Sequence, residues 1–197
     1  MSESRATDDW TRAGVPDLAA VLQAWGVDVS SWGTGEAKSL EHLLAELRSG
    51  ESELLIDDSG LVRRVRNVWV DVHAYDGAVR RHLVELRQEF ADGRTRVRDL
   101  PASIGEKAKA GEHPTTAAMR GLAEELGLPA SAYVLTEGAP RHNPAPPRSY
   151  PGLRSDYETH WFEALLEPAA YEAGGYVEKQ RDKQTHFGWE PSPGSSS

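Results

Sequence analysis

The sequence predicts an α+β fold, a mixed β-sheet packed against helices, with a helical extension at the N-terminus. Three observations carry this. Two amphipathic helical segments precede residue 53, the apolar period then shifts to the alternation of strands, and a single helix interrupts the strands that follow. Strand runs broken by one central helix fit a mixed sheet better than a doubly wound βαβ array.

The first helix is expected over Val15–Trp25, where Leu18, Val21, Leu22 and Trp25 fall at helical spacing and Gly26 ends the run. A second begins after Ser39, with Leu40, Leu43, Leu44 and Leu47 as its apolar stripe and Ser49-Gly50 as its stop. The linker between them is rich in glycine and carries Trp32. Leu54–Ile56 and Val65–Tyr75 show the β-branched enrichment of strands. Asp76-Gly77 suits a hairpin turn, which makes Ala78–Phe90 the partner strand. After the turn at Asp92-Gly93, the segment RTRVRDLP (94–101) is expected as another strand, and residues 103–113 as a loop. The central helix, near Thr115–Leu126, has Pro114 in its first turn and Gly127 just past its end, the favoured asymmetry. Tyr133–Leu135 reads as a short strand, residues 142–153 as a proline-rich loop and Tyr157–Leu166 as a strand. The implied division is an extension over 1–52, a main domain over 53–190 and a flexible tail over 191–197.

Composition narrows the function. A formal net charge of −9, from 31 Asp+Glu against 22 Lys+Arg, argues against a generic nucleic-acid partner, which needs a basic face. With no cysteine, disulfides and thiolate metal sites are excluded. No apolar run reaches spanning length, and the start MSESRATDDW lacks the order of a signal peptide, so no membrane partner and a cytoplasmic location are expected. A homodimer is left open. The seven histidines form neither HxH nor HExxH spacing, so zinc is not expected, and His113 suits a capping role.

The stretch GEHPTTAAMRGLAEELGL (111–128) carries the chemistry. Ala118, Leu122 and Leu126 share one face, and Arg120 can pair with Glu124 four residues on. Gly121 is anomalous, because a glycine inside a helix costs about 1 kcal/mol relative to alanine. Glu112, seven residues, then Arg120-x-Leu-x-Glu-Glu-x-Gly-Leu resembles the Nudix box, G-x5-E-x7-R-E-U-x-E-E-x-G-U. Glu112, Arg120, Leu122, Glu124, Glu125, Gly127 and Leu128 match it. Two positions depart: the acid after the arginine is Gly121, and the opening glycine falls on Glu106, with Gly105 one residue early.

The resemblance implies an α/β/α sandwich and a hydrolase of nucleoside-diphosphate-linked compounds that holds magnesium, or manganese in its place, on glutamates. It makes Glu125, Glu124 and Glu112 the metal ligands, and Glu112, Glu124 and Arg120 the catalytic set. Since Gly121 removes a ligand, Glu106 is expected to supply a substitute carboxylate across the space left at 121. The competing explanations are a decayed, non-catalytic Nudix-fold module that binds a nucleotide or protein, and a fold reused in a biosynthetic pathway. Arg94, Arg96 and Arg98 alternate along one segment and suit phosphate, although pairing with the surplus acids is the stronger expectation. Arg63, Arg64 and Arg66 form a similar group. Tyr150 is the best contact residue of a substrate rim in the proline-rich loop.

Overall fold

The structure is a computed structural model; it describes residues 4–5, 14–139, 141–145 and 149–192, the first and third of these as backbone only. In chain order the elements are β1 (Ser4–Arg5), α1 (Val15–Ala24), α2 (Leu40–Ser49), β2 (Glu53–Asp57), β3 (Gly60–Asp76), β4 (Val79–Phe90), β5 (Thr95–Arg96) and β6 (Ile104–Lys107). Helix α3 (Pro114–Leu126) follows, then β7 (Tyr133–Glu137), β8 (Arg141–Ala145), β9 (Ser155–Leu166), β10 (Tyr176–Lys179) and β11 (Lys183–Pro191). Strands neighbour one another in the order β1-β2-β3-β4-β11-β10, with β6 and β9 also pairing with β3. The fold class is α+β, as the sequence predicts.

The chain forms two compact units. The first comprises Met1–Asn67, Lys107–Glu112 and Arg141–Thr159. Helix α1 starts where the Gly14 N–H donates to Asp17 Oδ2 at 2.7 Å, and α2 where the Ser39 side chain accepts the His42 N–H. These bonds satisfy backbone donors that the first helical turn leaves unpaired. The apolar stripes of both helices bury Leu18, Leu22, Leu43 and Leu47 in one core with Leu54 and Leu61 of the strands, each side chain contributing about 2 kcal/mol.

A charged cluster sits beside that core. Glu46 accepts from Arg63 Nη2 and from Lys38 Nζ, both at 2.6 Å, and from Ser52 Oγ at 2.9 Å. Burial alone would raise the Glu46 pKa, but Arg63, Lys38 and Lys107 hold it at about 2. Tyr150 corrects the sequence reading. Expected on a substrate rim, it is 1% exposed, with its ring centroid 5.0 Å from that of Trp32 and the Arg63 guanidinium 5.0 Å above it. Its aromatic area is worth more inside than at a rim.

The second unit comprises Val68–Glu106, His113–Pro140 and His160–Ser197. Residues 73–76 of β3 oppose 79–82 of β4 across the expected Asp76-Gly77 turn. Strand β11 runs antiparallel along β4, with a register shift between His186 and Phe187, and β10 closes on β11. Helix α3 is capped by His113, whose side chain accepts the Thr115 N–H, and ends at Gly127 in the left-handed conformation (φ 68°) that favours glycine. Its buried face is Ala117, Ala118, Gly121, Leu122 and Leu126.

Three element assignments change. Of the strand expected over 94–101 only Thr95–Arg96 forms; Val97 is 73% exposed, so nothing apolar holds the rest to a sheet. The expected loop over 103–113 opens with β6. The proline-rich loop opens with β8, whose Arg141–Ala145 pairs with Ser155–Thr159 of β9; its residues 146–148 lie outside the described residues. Among the described residues no helix is long and apolar enough to cross a membrane.

Candidate functional site

In the second unit, β6 lays Glu106 against α3 at the one position where the helix has no side chain. A Cβ placed on Gly121 would stand 2.7 Å from Glu106 Cγ and 3.4 Å from Ile104 Cδ1. Arg120, the preceding residue of the helix, donates from Nη1 to Glu106 Oε2 at 2.9 Å and to Glu124 Oε2 at 3.5 Å. The glycine and the glutamate therefore fit as a pair, and Arg120 fixes the carboxylate that fills the gap.

Glu125 stands in a field of other acids. Burial first, then the charges of Glu178, Glu106 and Glu85, push its pKa up to about 8, while Arg98 works in the opposite direction. Glu85, on β4, is buried and takes Arg98 in a two-point contact, Nε to Oε1 at 2.8 Å and Nη2 to Oε2. That pairing raises the Arg98 pKa above its ordinary value. Glu178, on β10, accepts from Thr185 Oγ1 at 3.0 Å. A hard cation such as magnesium would offset this mutual repulsion of carboxylates. Among the described residues, no group of three or more His, Cys, Asp or Glu is arranged to hold a metal ion.

The remaining sequence-predicted residues are placed as follows. Glu124 is exposed. Glu112 belongs to the first unit, where its Oε2 accepts the Lys109 N–H at 2.8 Å and its carbonyl accepts from Arg66 Nη1 at 3.1 Å. Arg94 donates to Asp92 at 2.7 Å, and Arg96 is exposed. Arg63 is committed to Glu46, and Arg64 lies 3.2 Å from Asp156. Glu85 and Glu178 were not legible as site residues. Glu85 did leave a signal, an acid sharing its strand face with Leu83 in β4; Glu178 left none.

No family model matches the chain, and no curated protein does. Solved structures of Nudix proteins resemble it. The NUDIX domain of Shewanella oneidensis NrtR, complexed with ADP ribose, is 13% identical over 65% of this chain and 73% of its own, with a TM-score of 0.39. The E. coli dihydroneopterin triphosphate pyrophosphohydrolase is 20% identical over 63% and 78%, with a TM-score of 0.42. A Deinococcus radiodurans protein is 15% identical over 64% of this chain, which spans 65% of its length, with a TM-score of 0.39. At such scores the likeness carries no chemistry across, so the Nudix-like reading stands on the residues around Gly121.

Proposed function

We propose that the chain is a magnesium-dependent, Nudix-like hydrolase of a substrate in which a diphosphate is linked to another group, with Glu106 replacing the acid lost at Gly121. The observation that supports it is the seating of Glu106 over Gly121 with Arg120 bonded to its carboxylate. A relic losing its ligands has no need to fill that space with another acid. Magnesium is commonly held by one or two carboxylates, with substrate phosphates and water completing its octahedron, so a cage of three protein ligands is not required.

In this reading Glu106 and Glu125 hold the ion, and Glu124 is a further carboxylate of the box. When bound, the ion supplies Lewis acidity and neutralises charge at the bridging oxygen. Arg120 holds the Glu106 carboxylate through its hydrogen bond. Glu125 must give up its proton for the ion, which couples occupancy to pH. In this reading Arg98, half-exposed and bonded to Glu85, also meets a phosphoryl oxygen.

Gly121 itself favours a second reading, a non-catalytic module that binds the same class of compound. Screening diphosphate compounds with and without magnesium separates the two. Turnover that requires magnesium supports the hydrolase; ligand-induced thermal stabilisation without turnover supports the module.

A further inference from the structure

In the second unit, helix α3 ends at Gly127 in an open groove of about 350 Å³, lined by Leu126, Leu128, Ala132, Ala170, Glu172 and Tyr176 among others. Glu167 lines this groove and also a smaller apolar hollow of about 200 Å³. Tyr75 and Val134 line that hollow while 54% and 57% exposed. The rim is tied down from behind: the Tyr176 hydroxyl donates to the Ala170 carbonyl at 2.6 Å and Trp189 Nε1 to the Glu172 carbonyl at 2.8 Å. Little freedom is left there to lose on binding. The last turn of α3 has no basic residue to meet the partial negative charge of its final carbonyls. Glu167 and Glu172 are exposed, and neither enters an ion pair among the described residues. No lysine, arginine or histidine lines either hollow, so every charge presented there has one sign.

We propose that this groove docks a partner protein through a segment that pairs a basic side chain with a neighbouring apolar one. The arginine or lysine lies at the end of α3 with Glu167 and Glu172, and the apolar side chain covers Tyr75 and Val134. Charge complementarity selects this occupant. A second copy of the chain is the wrong one, because a two-fold contact sets the same patch against itself and would bring Glu167 and Glu172 against their own copies. The formal net charge of −9 acts in the same direction. The surface does not depend on the diphosphate reading, since Glu106, Gly121 and Arg98 line neither hollow.

The test titrates the full chain into a fluorescein-labelled, end-capped pentapeptide of alternating leucine and arginine, read by anisotropy. A second peptide carries citrulline, neutral and of nearly the same shape, in place of arginine. The arginine peptide is expected to bind saturably, and about tenfold more tightly than the citrulline peptide. Glu167→Gln with Glu172→Gln should weaken it about fivefold or more, and Val134→Ser should weaken both peptides; all three changes are at exposed positions and should leave the melting temperature nearly unchanged. Glu36→Gln with Asp58→Asn removes the same charge from exposed sites in the first unit and should leave the affinity as it was. No saturable binding to the wild type overturns the proposal, as does an equal loss in the control pair, which would reduce the binding to general attraction by an acidic chain. Self-association that strengthens when Glu167 and Glu172 are neutralised would overturn it in favour of a second copy.

Discussion

Glu106 occupies the space that a side chain at position 121 would fill, its Cγ 2.7 Å from where a Cβ on Gly121 would stand. That distance decides the sign of a substitution. Gly121→Ala gains about 1 kcal/mol in helix propensity, but the Glu106 Cγ it meets yields only by a change of χ1 that disturbs the bond to Arg120. Overpacking of this kind costs about 1–3 kcal/mol. Gly121→Ala should therefore lower stability in the wild type and raise it in a Glu106→Ala background, a reversal that urea denaturation of the four proteins reads directly.

Glu125 predicts a pH dependence of both stability and metal binding. Its folded pKa of about 8 lies above the ordinary 4.5, so the folded state keeps a proton that the unfolded state releases between these values. Stability from this group falls as pH rises from 4.5 to 8 and levels off beyond. Glu125→Gln should flatten that part of the melting-temperature profile. Magnesium affinity should tighten over the upper part of the same window, because ion and proton compete for one carboxylate.

The opposite sign applies to Glu46. Held at about 2 against an ordinary 4.5 by Arg63 and Lys38, it contributes stability that is fully present above 4.5 and lost as pH falls through 2. Glu46→Gln leaves the Arg63 guanidinium, 3% exposed, without its counter-charge, and should cost about 3–5 kcal/mol at neutral pH. Chemical denaturation at neutral and acid pH checks both statements, since the difference between the two proteins should shrink as acid titrates Glu46.

A related exchange is expected at Arg98. Removing it strands the buried Glu85 carboxylate, so Arg98→Met should destabilise by about 3–5 kcal/mol. The double variant with Glu85→Gln should recover most of the loss in the same denaturation assay, because the remaining side chain is neutral.

Local signals carried much of the fold into the sequence. Gly26, Gly50 and Gly127 end the three helices near where their spacing predicts, and Asp76-Gly77 makes the expected hairpin. Elements fixed by distant partners were not legible. Gly105 inside β6 reads as a loop residue until Trp69 is seen lying on it. Tyr150 looks like a loop contact until Trp32 and Arg63 close around it. In RTRVRDLP the alternation of charge with Val97 and Leu100 imitates a strand that has no core to face. At the candidate site, the pairing of Arg120 with Glu124 was legible from helical spacing. Glu85 and Glu178 reach Glu125 only through the pairing of β4, β11 and β10, which no local pattern announces.

The most direct measurement is the magnesium affinity of the wild type against Glu106→Gln, a change that keeps the shape over Gly121 and removes the charge. If Glu106 is the relocated ligand, binding should weaken by about tenfold or more with the melting temperature nearly unchanged. Equal affinities in the two proteins would contradict the account.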